Sequence, residues 1–224
     1  MGETIKLTSE ADGFAFSAYH ELPFTPRKGG VIVVQEIFGI DAYVRADVAR
    51  WAKAGYEAVA PALFDRRERD FHAAHDTAGI AAGVAHAQAT PMEQALADIA
   101  ACRDFLKPRG KVCVVGYCYG GSLAWIAAAK LPGLAAASSY YGSMVRQNAA
   151  LTPLCPTIVH LGRTDAAIPA DETEAAVRAH HPDVPVYIYE GAGHGFNNEA
   201  PERYSAEAAD LARQRTRELF EKAG

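Results

Sequence analysis

The stretch KVCVVGYCYGGS, residues 111–122, predicts a buried strand that turns sharply into a helix. Residues 112–115 are apolar and mostly β-branched, which is typical of a strand buried on both faces. Glycines at 116, 120 and 121 surround Cys118, and an apolar, alanine-rich segment over 123–130 predicts the helix. A strand, a glycine-flanked turn and a helix are the layout of a nucleophile elbow, here with cysteine where serine is usual. Cys118 is therefore a candidate nucleophile.

The chemistry of this turn depends on the thiolate form of Cys118. A helix that begins at the thiol directs backbone N–H groups and the positive end of its dipole toward the sulfur, and both favour thiolate. The glycines permit the strained backbone that such a turn requires. The alternative interpretation is a small buried residue, because Gly-x-Cys-x-Gly is a short pattern and cysteine is common in protein cores.

Length and composition indicate one globular domain over residues 1–224. Half of the residues are apolar and 22% are charged, and the formal charge of -5 favours neither nucleic acid nor an anionic membrane as a partner. No apolar run approaches the roughly 20 residues that a transmembrane helix needs. The N-terminal MGETIKLTSE lacks a hydrophobic signal core, so we expect a cytoplasmic protein.

The other cysteines and two histidines give no metal or cofactor signal. Cys102, Cys113 and Cys155 form no Cys-x-x-Cys pair, so we expect reduced structural thiols. His72 and His75 lack a third ligand at a recognisable spacing, which makes surface histidines the better interpretation.

Strands alternate with helices along the chain, which predicts an α/β fold with a mostly parallel sheet and helices on both faces. The segment 63–89 is expected to be an irregular or loosely helical excursion over the site. Thr90 is the expected N-cap of the helix that follows, with Pro91 at its first position. Strands are predicted at 4–7, 14–19, 31–35, 56–60, 112–115, 134–140, 156–161 and 184–189, and helices at 41–55, 91–106, 123–130, 170–180 and 201–222.

The third strand ends in Gln35-Glu36-Ile37-Phe38-Gly39. Open α/β sheets bind ligands at the carboxyl ends of their strands, which makes Glu36 and Phe38 candidate site residues. In an elbow hydrolase the loop at this place supplies one oxyanion N–H, which we assign to Ile37, and the residue after the nucleophile, Tyr119, supplies the other. A solvated loop carboxylate is the alternative for Glu36, but its position favours a function.

Cys118, Asp165 and His194 follow three predicted strands in the order nucleophile, acid, histidine. This is the chain order of the α/β-hydrolase triad. A thiolate attacks a carbonyl carbon, a histidine moves the proton, and a carboxylate fixes the histidine tautomer. Asp171 is a competing acid, although its place at a helix start makes it the weaker candidate.

Several motifs give the chain a resemblance to the dienelactone hydrolase family of α/β-hydrolases. They are Gln35-Glu36-Ile37-Phe38-Gly39, the elbow over 116–121, Tyr140-Tyr141-Gly142, Asp165 and Gly193-His194-Gly195-Phe196. The resemblance implies Cys118 as nucleophile, His194 as base and Asp165 as third member. It also implies that Glu36 contacts the resting thiol and helps to deprotonate it, and that Tyr140 lines the site. Members hydrolyse enol-lactones such as dienelactone to maleylacetate in the degradation of chloroaromatic compounds.

The family's substrate-binding arginines are not matched. In the best-known members one arginine follows the histidine and another lies in the excursion, whereas here Asn197 and Asn198 follow it and Asp76 or a neighbour takes the second place. A neutral lactone or small ester is therefore an alternative substrate, unless an arginine at 66, 69 or 163 substitutes. Two other functions stay open at this point: a non-catalytic binding protein with a redox-sensitive Cys118, and a thioesterase. A monomer is expected.

Overall fold

The computed structural model describes residues 2–200 and 202–223 and contains an eight-stranded, mostly parallel sheet with helices. The predicted α/β fold is therefore confirmed. Contacts within the chain group it into two compact units, Met1–Val114 and Val115–Gly224, which are described in turn. The interpretation as one domain over 1–224 stays a prediction. None of the helices in the described part of the chain is long and apolar enough to cross a membrane.

The first unit contains four strands in the order β1-β2-β4-β3. These are β1 (Glu3–Thr8), β2 (Ala15–Glu21), β3 (Gly29–Val34) and β4 (Tyr56–Pro61). β2 pairs antiparallel with both β1 and β4, whereas β3 and β4 are parallel. Every residue of β3 and β4 is buried, as their continuous apolar sequences require.

Three helices accompany these strands: α1 (Ala42–Lys53), α2 (Thr77–Ala89) and α3 (Met92–Leu106). Asp41 caps α1, because its Oδ1 accepts a hydrogen bond from the N–H of Val44 at 2.9 Å. α3 has an apolar face toward the core, since Leu96, Ile99 and Cys102 are all buried.

The prediction for the segment 63–89 holds only in part, and the prediction for Thr90 was wrong. The segment 63–89 ends in a regular helix, α2, whose N-cap Asp76 accepts a hydrogen bond from the N–H of Gly79 at 2.8 Å. Thr90 does not cap α3, because its hydroxyl donates to the carbonyl of His86 at 2.8 Å and so closes the end of α2. The first residue before α3 is Pro91, which has no side-chain cap hydrogen bond.

The second unit contains the carboxyl-terminal part of β5 (Val112–Tyr117) and the strands β6 (Ala136–Tyr140), β7 (Thr157–Gly162) and β8 (Val186–Tyr189). β6, β7 and β8 are parallel neighbours. The helices are α4 (Tyr119–Lys130), α5 (Ala170–His180) and α6 (Ala206–Lys222). α6 was predicted to begin at residue 201, which lies outside the described residues, and it begins at Ala206.

A buried hydroxyl on α6 connects this helix to two strands. Thr216 donates its proton to the carbonyl of Ala212 at 3.0 Å. Its oxygen also lies 2.9 Å from Ser138 Oγ, 2.7 Å from the Tyr140 hydroxyl and 3.1 Å from His160 Nε2. Because the hydroxyl proton is used and the oxygen has two lone pairs, two of these three neighbours at most donate to Thr216 at one time.

The other nitrogen of His160 completes this network. Nδ1 lies 2.8 Å from the hydroxyl of Tyr189, and Arg215 donates to the same tyrosine oxygen at 3.2 Å. Burial, with a smaller contribution from the charge of Arg215, lowers the pKa of His160 to about 3. His160 is therefore a neutral histidine at physiological pH.

Candidate active site

Cys118 occupies the strained turn between β5 and α4. Its backbone angles are φ 53° and ψ -113°, a region that side chains other than glycine rarely adopt. The turn closes because two glycines allow close backbone approach. A Cβ on Gly116 would lie 1.9 Å from the carbonyl oxygen of Gly120, and one on Gly121 would lie 2.2 Å from that of Tyr140. Any larger residue would displace the thiol.

Cys118, His194 and Asp165 lie in one hydrogen-bonded line. His194 Nε2 is 3.2 Å from Cys118 Sγ, and His194 Nδ1 is 2.8 Å from Asp165 Oδ2. The three residues follow the carboxyl ends of β5, β8 and β7, respectively. This geometry allows the imidazole to take a proton from the thiol while the carboxylate orients the ring.

Asp165 is held from its other side. Its Oδ1 accepts hydrogen bonds from the N–H groups of Ala167 at 2.9 Å and Ile168 at 3.0 Å, and its side chain is buried. Both carboxylate oxygens therefore have defined partners. The competing acid, Asp171, is 79% exposed and pairs with Arg163, so the structure brings Asp165 and not Asp171 to His194.

The surroundings of His194 favour its protonated, charged form. Burial opposes protonation, but the hydrogen bonds and charges of Asp165 and Cys118 outweigh it and raise the pKa of His194 to about 10. The imidazolium form is favoured at neutral pH. An imidazolium beside the sulfur stabilises thiolate, which is the nucleophilic form of cysteine.

Tyr141 is a residue of this site that the sequence interpretation missed. Its ring centroid lies 5.2 Å from that of His194, at an interplanar angle of 61°. The substrate contact was predicted instead for Tyr140, which is fully buried and whose hydroxyl bonds Thr216. Tyr140 as a lining residue stays a prediction, and the left-handed backbone of Tyr141, directly after β6, places its ring beside the histidine.

In the first unit, the loop that follows β3 is enclosed. Glu36 is only 2% exposed, so the alternative interpretation as a solvated carboxylate is wrong. The carbonyl of Phe38 accepts a hydrogen bond from Ala73 at 3.1 Å. A Cβ on Gly83, in α2, would lie 2.2 Å from the carbonyl oxygen of Ile37. Residues 71–75 and α2 therefore fix the position of this loop.

His75 takes part in that enclosure and is not a surface histidine. Its ring stacks on Phe38 with centroids 3.8 Å apart, and its Nε2 lies 2.7 Å from Asp41 Oδ2. His72 is exposed, as predicted. Within residues 2–200 and 202–223, no three His, Cys, Asp or Glu side chains are grouped so that they could hold a metal ion.

The arginines considered as substrate ligands are engaged elsewhere. Arg66 bonds Asp98 and Asp12, Arg69 bonds Asp65, and Arg163 bonds Asp171 and Glu190. A different arginine lies close to the histidine loop, where a Cβ on Gly195 would be 3.3 Å from Arg203 Cδ. The sequence alone does not show that Arg203 lies beside the loop of His194.

The oxyanion roles of Tyr119 and Ile37 stay predictions. Tyr119 is the first residue of α4 and follows Cys118 directly. Ile37 begins the turn after β3.

Comparison with known proteins identifies the family. The model of the dienelactone hydrolase family matches residues 16–224. A protein of Yersinia pestis named "Putative carboxymethylenebutenolidase" is 34% identical over 212 residues, which cover 87% of this chain and 78% of that protein. The carboxymethylenebutenolidase of Pseudomonas putida is 32% identical over 222 residues, covering 91% and 90%. The crystal structure of a "Putative Dienelactone Hydrolase" from Klebsiella pneumoniae matches with a TM-score of 0.84 and 28% identity over 99% of both chains. The chain therefore belongs to the dienelactone hydrolase family, ester and lactone hydrolases with the α/β-hydrolase fold.

Proposed function

We propose that this protein hydrolyses lactones or small activated esters through a triad of Cys118, His194 and Asp165. The observation that carries the proposal is the single line of hydrogen bonds from Cys118 Sγ to His194 at 3.2 Å and from His194 to Asp165 at 2.8 Å. Such a line is the requirement for a cysteine nucleophile with a histidine base.

The reaction would proceed in two steps. The Cys118 thiolate adds to the substrate carbonyl, and the imidazolium of His194 gives its proton to the leaving alkoxide, which leaves a thioester. His194 then takes a proton from water, whose oxygen adds to the thioester carbon and releases the acid and the thiol. The N–H groups of Tyr119 and Ile37 are the proposed donors to the oxyanion in both steps, and loss of one such donor typically costs about 3 kcal/mol.

Glu36 is proposed to contact the resting thiol and to help deprotonate it when substrate binds. Its burial supports this role, because a carboxylate removed from water requires specific partners. The role itself is implied by the family resemblance. Phe38 is proposed to contact the substrate from the same loop. No metal or cofactor takes part in the proposed chemistry.

Dienelactone, hydrolysed to maleylacetate, is the substrate that the names of the relatives support. The ion pairs of Arg66, Arg69 and Arg163 support the second candidate, a neutral lactone or small ester, because those arginines already have carboxylate partners. Turnover of dienelactone should be compared with turnover of its uncharged methyl ester. Faster hydrolysis of the methyl ester would favour the neutral substrate. The cytoplasmic location, the monomeric state and a role in the degradation of aromatic compounds stay predictions.

The triad is tested with Cys118→Ala, which should abolish hydrolysis of p-nitrophenyl acetate while the thermal unfolding temperature is kept. Cys155→Ala is the matched control, because Cys155 is also a partly buried free thiol and should leave turnover unchanged. Retained turnover in Cys118→Ala would contradict the proposal.

A further inference from the structure

The end of β6 contacts both reacting groups of the proposed triad. The carbonyl of Tyr140 accepts a hydrogen bond from the N–H of Cys118 at 3.0 Å. The ring of the next residue, Tyr141, lies against the imidazole of His194. Two consecutive residues therefore hold the nucleophile by its backbone and the base by its ring. A displacement of this dipeptide would change the distance between sulfur and imidazole.

The backbone of Tyr141 adopts a conformation that tyrosine normally avoids. Its φ is 38°, in the left-handed region, and its N–H donates to the carbonyl of His160 at 2.8 Å. Strained residues of this kind persist only where the surroundings fix them, and they cluster at functional sites. Glycine or asparagine would satisfy the backbone without strain, so a tyrosine at this position indicates that its side chain is required.

The residues that flank His194 in its loop carry no side chains that could orient the imidazole. The histidine stands between Gly193 and Gly195, and Gly195 has a φ of 77°. Neighbours without side chains do not restrict the rotamer of the histidine. The hydrogen bonds to Asp165 and Cys118 hold the two nitrogens at the edges of the ring. Tyr141 supplies a contact to the ring itself, and it is fully buried and packed against Phe196, with centroids 5.3 Å apart.

We propose that Tyr141 is a positioning residue that holds the His194 imidazole in line between the Cys118 thiol and the Asp165 carboxylate. The inference rests on the proposed function of these three residues. The aromatic ring is the part of Tyr141 that acts, because it makes the contact with the imidazole. The strained backbone is the consequence of presenting that ring from the end of β6.

Two substitutions separate the ring from the backbone conformation. Tyr141→Phe keeps the ring, whereas Tyr141→Asn tolerates the left-handed conformation and removes the ring. We expect kcat/KM for p-nitrophenyl acetate to stay within about twofold in Tyr141→Phe and to fall by about 10- to 100-fold in Tyr141→Asn, mainly through kcat, as expected for a small misplacement of a reacting group.

The second measurement is the titration of His194 by NMR, which does not depend on turnover. In Tyr141→Asn the pKa of His194 should fall from about 10 toward the ordinary 6.5, because a displaced imidazole loses its partners Asp165 and Cys118. A loss of packing alone would lower the unfolding temperature without this change. If Tyr141→Asn does not fold, Tyr141→Gly replaces it, since glycine also accepts this backbone.

Three results would overturn the proposal: an unchanged His194 titration in the ringless variants, an equal loss of activity in Tyr141→Phe, or the absence of NOEs between the two rings in the wild-type protein. Retained turnover in Cys118→Ala would instead refute the triad, so the two failures are distinguishable.

Discussion

Replacement of Asp165 by asparagine should disable the base without disturbing the fold. Oδ1 of Asp165 accepts two backbone N–H groups, from Ala167 and Ile168, and the amide oxygen of asparagine must take that place. The amide NH₂ is then left facing His194 Nδ1, which must become an acceptor. The proton of the imidazole moves to Nε2 and points at the sulfur, so the ring can no longer receive a proton from Cys118.

The size of the effect follows from the pKa of His194. The difference between about 10 and the ordinary 6.5 corresponds to roughly 5 kcal/mol, at about 1.36 kcal/mol per pKa unit. Asp165 and Cys118 share this stabilisation of the imidazolium, so the carboxylate contributes part of it. The wrong tautomer adds to this loss. We therefore expect kcat to fall by about 10³- to 10⁴-fold, with KM changed little.

Steady-state hydrolysis of p-nitrophenyl acetate measures the loss, and thermal unfolding verifies the fold of Asp165→Asn. Asp171→Asn is the matched control, because Asp171 is an exposed carboxylate that pairs with Arg163. Its activity should equal that of the wild type. A kcat in Asp165→Asn above about a tenth of the wild-type value, or a larger loss in Asp171→Asn, would refute the reasoning.

Three further predictions concern the surroundings of the site. Gly83→Ala should lower kcat and destabilise the fold although alanine favours helices, because the added methyl would lie 2.2 Å from the carbonyl oxygen of Ile37; higher stability with full activity would contradict this. His75→Phe keeps the stacking on Phe38 and loses the hydrogen bond to Asp41, so faster amide hydrogen exchange over residues 36–41 is expected, and unchanged exchange would count against the role of His75. The pKa of His160 is lowered to about 3, so the unfolded chain binds its proton first and stability falls as the pH decreases from 6.5. Urea unfolding should show a loss of about 3 kcal/mol at pH 4.5 relative to pH 7 (two pH units at about 1.36 kcal/mol each) that is absent in His160→Gln; equal losses in both proteins would contradict it.

The order of strands and helices was predictable because each carries a strong periodic or apolar pattern. The elbow was predictable because a strand pattern precedes the glycines at 116, 120 and 121 and a helix pattern follows them. The chain order nucleophile, acid, histidine then identified Asp165 and His194, which follow strand ends. Each of these residues is recognised from the few residues around it, which can be read directly from the sequence.

The missed features depend on contacts between distant segments. Gly79 and Gly83 weakened the prediction of α2, yet both are glycines because backbone carbonyls of Ala74 and Ile37 pass too close for a Cβ. Tyr141 carries no sequence signal that separates it from Tyr140, since only the backbone turn after β6 decides which ring faces the histidine. Thr90 was assigned to the start of α3, and its hydroxyl bonds the end of α2 instead.

The hydroxyl of Thr216 determines where along its axis α6 can sit. Apolar packing alone would tolerate a slide of the helix by one turn, about 5.4 Å, because similar side chains recur at that interval. Such a slide would break the hydrogen bonds of Thr216 with Ser138, Tyr140 and His160 together, and each of these three buried polar groups would lose a partner. The hydrogen bonds to this one oxygen atom thus fix the position of α6 along its own axis.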